Sequence, residues 1–350
     1  MYAAKWGSAL LLAAVAQFAV AGCAGGGLGT TPGTPLMQAR TASWMAPDAK
    51  KVDLLYVTDI GDNYVYVFSY PVVKQLGTLT GFNNARGACT DKKGDIFITN
   101  RYSFNYTTPP QILEYAHGGT SPIASLGDYN GQPNDCSVDE KSGRLAVATW
   151  AKYPSYAGPG SVSIYKDAQG TPTTYSVPGV WFVVSCAYDP KGNLFVDGMP
   201  YGYGSYPIGF VLAELPKGST QFVNLSVNAS LASAGGIQWD GKYVAVDDNT
   251  NNIVYQLSVA GSTATVEGTT DLKGDWDYEQ IYKFAVPHSK HGQATVLIGG
   301  NQDAGVLGFW DYPAGGSPTS TIGGLDAPVA AVISKGKGSF TGDAIERSAR

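Results

Sequence analysis

Aromatic side chains with polar tips are concentrated in segments beside apolar, strand-like runs. Such rings bury apolar area while their hydroxyl or indole N–H groups stay in water, so they gather in recognition surfaces. They predict a surface that binds a glycan, a peptide or a protein. Two alternatives are a small-molecule pocket and rings that only pack on one another to stabilise long loops. The candidate ligand-binding residues are Tyr102, Tyr106, Trp150, Tyr153, Tyr156, Trp181, Tyr201, Tyr203, Tyr206 and Trp276.

Polar residues that could hold a cation end several of the apolar runs. Carboxylate and amide oxygens are the ligands that Ca²⁺ prefers. These residues therefore predict a calcium site, and the alternative is that they cap turns by accepting backbone hydrogen bonds. The candidate metal ligands are Asn100, Asp197, Asp248 and Asn301, with Asp59 at a similar position.

Residues for hydrolytic catalysis are scarce. The chain contains three histidines, His117, His288 and His291, and no Gly-x-Ser-x-Gly segment. His117 lies in a predicted turn, which places it on the outer rim, and the other two share a hairpin predicted at the face opposite the aromatic segments. The sequence therefore predicts no His-activated nucleophile.

Composition limits the fold and the partners. The 350 residues include 45 Gly and 22 Tyr, and only 15% are charged, which favours many short strands joined by tight turns. The formal net charge is −5, and no basic cluster is dense enough to neutralise a run of phosphates. Nucleic acid is therefore excluded as a partner.

An internal repeat positions the candidate residues. One strand pattern recurs at a spacing of about 40 to 53 residues, which is the period of propeller blades. An Asp-containing turn that ends in Gly precedes several copies, as at residues 91–94 and 189–192, and predicts a hairpin. The copies cover residues 54–59, 95–100, 144–149, 193–197, 242–247 and 294–299.

One predicted strand precedes most copies, and two more follow each copy. A complete repeat therefore has four antiparallel strands, the unit of a propeller. Residues 328–334 form a further apolar strand that matches the innermost strand missing from the first repeat. Pairing it with the first repeat would close a ring and remove two sheet edges. We therefore predict an all-β fold, a six-bladed β-propeller of four-stranded antiparallel blades over residues 51–335, closed by the C-terminal strand.

The first repeat also resembles a known family. Residues 56–68, Tyr-Val-Thr-Asp-Ile-Gly-Asp-Asn-Tyr-Val-Tyr-Val-Phe, resemble the core strand pair of the NHL-repeat propellers, and the resemblance covers residues 51–335. It implies architecture and leaves activity open. The chain is also distantly similar to the gluconolactonase-like propellers, which hold a divalent cation with Glu, Asn and Asp. No Glu occupies the matching position in the first repeat here.

Residues 1–23 have the pattern of an export signal. Lys5 precedes an apolar run, residues 6–20, that is too short for a stable membrane span. Residues 20–23, Val-Ala-Gly-Cys, resemble a bacterial lipobox, which implies lipidation of Cys23; the alternative is an ordinary secretory signal that ends near a Cys. Ala24 follows in place of a retention Asp, which favours the outer membrane or the cell surface. Residues 24–50 predict a flexible Gly/Thr/Pro-rich tether, and residues 336–350 a mobile tail.

Three cysteines remain after Cys23: Cys89, Cys136 and Cys186. An odd number cannot all pair within one chain. All three lie in apolar strand patterns, so we expect buried free thiols. The alternative is a Cys136–Cys186 disulfide, because these two occupy matching positions in neighbouring repeats.

These features favour binding over catalysis. We expect an envelope-anchored, monomeric binding or scaffolding module that recognises an extracellular glycan, peptide or protein and meets the membrane only through a lipid anchor. The alternative function is a cation-dependent lactonase or hydrolase, with Ca²⁺ as its cofactor and its site at the mouth of the central channel.

Overall fold

The computed structural model describes residues 42–101, 109–127, 131–152, 157–201, 209–274, 284–285 and 294–336. They all fall within one compact unit of the chain. Apart from one 3-10 helix, Ala49–Lys51, the regular structure in these ranges is entirely β. Within these residues no helix has the length and apolar character needed to cross a membrane.

The strands form antiparallel sheets in which consecutive strands are neighbours. The first sheet has the order β1-β4-β3-β2-β25 and contains β1 (Trp44–Met45), β2 (Asp53–Asp59), β3 (Tyr64–Tyr70), β4 (Gln75–Leu79) and β25 (Pro328–Ser334). The second contains β5 (Ala85–Thr90), β6 (Ile96–Asn100), β7 (Gln111–Tyr115) and β8 (Pro122–Gly127). The third contains β9 (Pro133–Val138), β10 (Leu145–Thr149), β11 (Ser161–Lys166) and β12 (Gln169–Tyr175).

A fourth sheet of eight strands joins two antiparallel sets of four through a short parallel pairing of β16 with β20. One set is β13 (Phe182–Tyr188), β14 (Leu194–Met199), β15 (Val211–Leu215) and β16 (Val223–Val227). The other is β17 (Ala234–Trp239), β18 (Val244–Asp248), β19 (Ile253–Ala260) and β20 (Thr263–Asp271). The fifth sheet contains β21 (Phe284–Ala285), β22 (Val296–Asn301), β23 (Val306–Asp311) and β24 (Ser320–Ile322).

The core is divided into apolar clusters between consecutive sets of strands. One cluster packs Phe97 of β6 against Val147 of β10, and the next packs Ala146 of β10 against Val196 of β14. The second strand of a set is therefore covered on both faces, so its sequence is continuously apolar and does not alternate. A cluster that includes Val57 and Ile298 lies between the first sheet and the β21–β24 sheet. This arrangement is propeller-like.

The C-terminal strand completes the first sheet. β25 pairs antiparallel with β2, with Leu54 opposite Ser334 and Val57 opposite Ala331, so the predicted pairing is confirmed. At the other edge, β1 pairs with β4. The predicted tether, residues 24–50, therefore overlaps β1 and the first two residues of the 3-10 helix.

A disulfide joins the second and third sheets. It links Cys89 of β5 with Cys136 of β9, whose Cα atoms are 5.6 Å apart. The expectation of three free thiols is therefore wrong, and so is the Cys136–Cys186 alternative. The Cys136 Sγ faces the Phe97 carbonyl at 3.7 Å, whereas the buried Cys186 Sγ faces the Ala146 carbonyl at 3.8 Å. The two sulfur atoms thus point in the same direction around the structure, and Cys136 is directed away from Cys186.

Candidate functional site

In three of the strand sets a polar side chain at the end of the second strand bonds to the loop that precedes the first strand of the same set. Asn100, at the end of β6, accepts hydrogen bonds from the N–H groups of Asn83 and Asn84 at 2.9 and 3.2 Å. Asp248, at the end of β18, accepts from the N–H groups of Ala232 and Ser233 at 2.7 and 3.3 Å. The two kinds of loop therefore lie on the same face, as expected for a channel mouth.

Asp59 makes the same connection in the first sheet. Its carboxylate accepts hydrogen bonds from the N–H groups of Gly61, Asp326 and Ala327 at 2.8 to 3.0 Å. Burial raises the pKa of Asp59, and the backbone N–H groups offset part of that rise. These bonds tie the β2–β3 loop to the loop that enters β25.

The remaining candidate metal ligands also bond to the backbone. The Asn301 side-chain oxygen accepts from the N–H groups of Asp303 and Ala304 at 3.1 and 3.0 Å. Asp197 is fully buried and accepts from the Ser185 N–H at 2.9 Å. In the part of the chain that the structure describes, no group of three or more His, Cys, Asp or Glu side chains could hold a metal ion. The calcium site stays a prediction.

The structure brings three of the predicted aromatic residues together with a fourth. The Trp150 and Phe182 ring centroids are 4.6 Å apart with an interplanar angle of 32°. Those of Trp181 and Tyr201 are also 4.6 Å apart, at 71°. Because Trp181 and Phe182 are consecutive residues, the two pairs are neighbours. We call these four residues the aromatic strip.

Backbone pairing at the ends of β10 and β14 positions the aromatic strip. The Trp150 N–H donates to the Gln132 carbonyl at 2.8 Å, and the Trp181 N–H donates to the Met199 carbonyl at 2.8 Å. A Cβ at Gly158 would lie 2.7 Å from the indole atom Cδ2 of Trp181. A glycine is therefore required where the chain crosses the Trp181 ring.

Exposure differs along the aromatic strip. Tyr201 is 70% exposed, whereas Trp150, Trp181 and Phe182 are partly buried. The Tyr201 ring is thus open to a partner, and the other three rings present parts of their surfaces.

Two further residues at this site were missed by the sequence analysis. The Arg101 guanidinium lies 5.3 Å from the Trp150 ring centroid, within cation–π range, and its Nη1 donates to the Asn134 side-chain oxygen at 3.3 Å. Gln132 precedes β9. The signal for Arg101 was its place directly after Asn100 at a strand end; nothing in the sequence distinguishes Gln132 from other glutamines.

Gln132 is fully buried. Neither its Oε1 nor its Nε2 has a hydrogen-bond partner among the residues that the structure describes. Its backbone N–H donates to the Ala151 carbonyl and its carbonyl accepts from the Trp150 N–H, both at 2.8 Å. The Gln132 backbone therefore lies directly beside that of Trp150.

Several predicted site residues lie outside the described residues: Tyr102, Tyr106, Tyr153, Tyr156, Tyr203, Tyr206, Trp276, His288, His291 and the predicted lipidation site Cys23. His117 is described and half-buried. Its Nδ1 lies 2.6 Å from the Ser334 Oγ of β25, and its Nε2 lies 3.0 Å from the Val52 carbonyl. The predicted place on the outer rim is wrong, because the β7–β8 turn folds against the closing strand.

Comparison with known proteins identifies the fold. No protein-family model and no curated protein matches the chain. Among solved structures, a chain from the crystal structure of a nidogen/laminin complex has a TM-score of 0.62 and 11% sequence identity. The match covers 81% of this chain and 98% of that chain. The chain has a β-propeller fold. At 11% identity the similarity shows the fold alone.

Proposed function

We propose that this protein is an exported six-bladed β-propeller that binds an extracellular partner, a glycan, a peptide or a protein, through the aromatic strip. The observation that carries the proposal is the two neighbouring ring pairs at the channel-mouth face, Trp150 with Phe182 and Trp181 with Tyr201. Trp and Tyr are enriched where binding energy is concentrated.

The blade count is supported by the sets of strands. Each antiparallel set of four counts as one blade, which divides the eight-stranded sheet into two. Apolar clusters fill the spaces between consecutive sets, and one of them joins the last set to the first sheet. The pairing of β25 with β2 supports closure of the ring of blades by the C-terminal strand.

Export is supported by the disulfide between Cys89 and Cys136, because such bonds persist mainly in oxidising compartments. We place the protein at the outer membrane or the cell surface as a monomer, anchored by lipid on Cys23. Cys23→Ser should move the protein from the membrane fraction to the soluble fraction of the envelope. A Cys23→Ser protein that stays with the membranes would contradict the lipid anchor.

A binding role is also compatible with the solved structure of similar fold, which was determined in a nidogen/laminin complex. That protein is part of a protein complex, and the same architecture is proposed here to present the aromatic strip. The partner's identity is not implied by the similarity.

Binding is tested with the double variant Trp181→Ala/Tyr201→Ala. We expect it to lose at least tenfold in affinity for surface-displayed glycans, peptides or proteins captured by the wild-type chain, because both rings of one pair are removed. Tyr243→Ala, in the turn between β17 and β18, is the matched control and should bind normally. Wild-type binding by the double variant would contradict the proposal, and so would a wild-type chain that captures no partner of any of the three classes.

A further inference from the structure

His117 joins the second sheet to the first through both of its ring nitrogens. It lies in the turn between β7 and β8 and contacts Ser334 of β25 and Val52, which precedes β2. We propose that His117 is a proton-sensitive latch. Its doubly protonated, cationic form holds β25 in the first sheet, and loss of one proton loosens that strand. This role is independent of partner binding at the aromatic strip.

The hydrogen-bond partners of His117 determine where its protons must lie. The Ser334 Oγ donates its hydrogen to the Gly94 carbonyl at 2.5 Å, because a carbonyl oxygen only accepts. The same Oγ lies 2.6 Å from the His117 Nδ1 and therefore acts there as the acceptor. The Nε2 lies 3.0 Å from the Val52 carbonyl, a second acceptor. All three bonds form together only when both ring nitrogens carry a proton, as in the imidazolium ion.

A neutral imidazole cannot keep the three bonds, because it has one N–H group and one acceptor nitrogen. With the proton on Nδ1, the Val52 carbonyl loses its donor. With the proton on Nε2, the Ser334 hydroxyl must turn to donate to Nδ1, and the Gly94 carbonyl loses its donor. Deprotonation of His117 therefore costs the folded state one hydrogen bond in either tautomer.

The latch lies where β25 completes the first sheet. Ser334 is the last residue of β25 and is fully buried. The next residue of the turn, Gly118, donates its N–H to the Tyr56 hydroxyl of β2 at 3.0 Å. One turn of the second sheet is thus bonded to both β2 and β25. His117 itself is half-buried, so solvent protons can reach its ring.

Other ionisable groups on the elements packed around His117 form a nearly constant background. Asp and Lys side chains ordinarily keep their charges between about pH 5 and pH 8. Burial raises the pKa of Glu114, and it raises the pKa of Tyr56 to about 12. Glu114 is unchanged in every variant below, so its contribution cancels. The charged groups on these elements are Lys50 and Lys51 of the 3-10 helix, Asp53 of β2, Asp91, Lys92, Lys93 and Asp95 of the β5–β6 turn, Glu114 of β7 and Lys335 after β25.

The direction of the pH dependence follows from the acceptors. The folded state offers an acceptor to each proton of His117, so it binds the second proton more tightly than the unfolded chain does. The stabilisation of β25 is therefore present at low pH. It is lost as the pH rises through the range in which histidine gives up its charge, about pH 5 to 8.

The test measures hydrogen–deuterium exchange of the β25 amides in the full chain at pH 5 and pH 8, as protection factors corrected for the intrinsic exchange rate. The parent protein carries His288→Gln and His291→Gln, which leaves His117 as its single histidine. We expect the protection of β25 to be about tenfold lower at pH 8, because one hydrogen bond from a charged donor is lost.

Two variants of this parent separate a latch from a packing contact. His117→Gln removes the titrating ring. Ser334→Ala keeps the histidine but removes the acceptor of Nδ1, so a neutral ring with its proton on Nε2 satisfies Val52. Both variants should protect β25 less than the parent at pH 5 and equally at pH 5 and pH 8. Ser69→Ala, in β3 of the same sheet, is the matched control and should keep the tenfold difference.

Equal protection of β25 at the two pH values in the parent would overturn the inference. So would an undiminished pH difference in either variant, because the dependence would then come from another group. Should His117→Gln fail to fold, Ser334→Ala and the parent still decide between the two outcomes.

Discussion

Buried polar side chains at the channel-mouth face fall into two groups that differ in their hydrogen bonds. Asp59, Asn100 and Asp248 accept several backbone N–H groups and tie the second strands to the loops that enter the innermost strands. Gln132 is equally buried, but its side-chain amide has no partner in the described ranges. The first group therefore stabilises the propeller. The Gln132 side chain makes no hydrogen bond to the described residues that would stabilise it.

Residue type and position do not separate the two groups in the sequence, because every member is a polar residue at or next to the end of a strand. A capping residue acts on the backbone next to it, and such bonds are common for Asp and Asn. A buried glutamine without partners carries a desolvation cost that no protein hydrogen bond offsets. The two groups therefore differ in what each contributes to the stability of the fold.

The largest effect is expected for Gln132→Glu. A carboxylate buried without a partner has its pKa raised by about 3 units or more, so we expect the free energy of unfolding at pH 7 to fall by about 3 to 4 kcal/mol. Because the folded state then binds the proton more tightly than the unfolded state, stability should recover as the pH falls below 7. Urea unfolding at pH 5 and pH 7 measures both effects. A variant as stable as the wild type at both pH values would show that the site holds water or an unrecognised cation, and the contrast with Asp59 would be lost.

A smaller loss is expected for Asp59→Ala. The variant leaves the N–H groups of Gly61, Asp326 and Ala327 without their acceptor and should lower the free energy of unfolding by about 2 to 3 kcal/mol. Capture of the partner that the wild-type chain binds should persist, because Asp59 lies in the first sheet and the aromatic strip lies at the ends of β10 and β14. The control is Asp48→Ala, since Asp48 is exposed and makes no side-chain cap bond to its 3-10 helix. Equal melting curves for the two variants would remove Asp59 from the structural group.

The repeat architecture was largely predictable from sequence. Strands between two neighbouring sheets are covered on both faces, so runs such as residues 145–148 are apolar throughout. Turns that need Asp and Gly mark the hairpins. The closing strand was also predictable, because residues 328–334 are apolar and have no other partner in the repeat pattern, and β25 pairs with β2 as expected.

The site was predictable only in part. Sequence pointed to Trp150, Trp181 and Tyr201 because of their residue types and their places beside strand ends. It could not assign which rings meet, because Trp150 contacts Phe182 across two sheets and not its neighbours in sequence. The disulfide could not be assigned from the sequence either. Cysteines at matching positions of the repeats left several pairings open, and the structure shows that the Cys136 side chain is directed toward the second sheet and bonds to Cys89.

The sequence by itself determined the strands, the turns and the order of the repeats, because these depend on local periodicity and on residues a few positions apart. Tertiary structure alone decided which side chains from different sheets meet: Arg101 with Trp150, Trp181 with Tyr201, and Cys89 with Cys136. It also decided that Gln132 is buried with no side-chain hydrogen bond to the residues that the structure describes, because burial and hydrogen bonding at the channel mouth depend on how neighbouring sheets pack, and no local pattern records that packing.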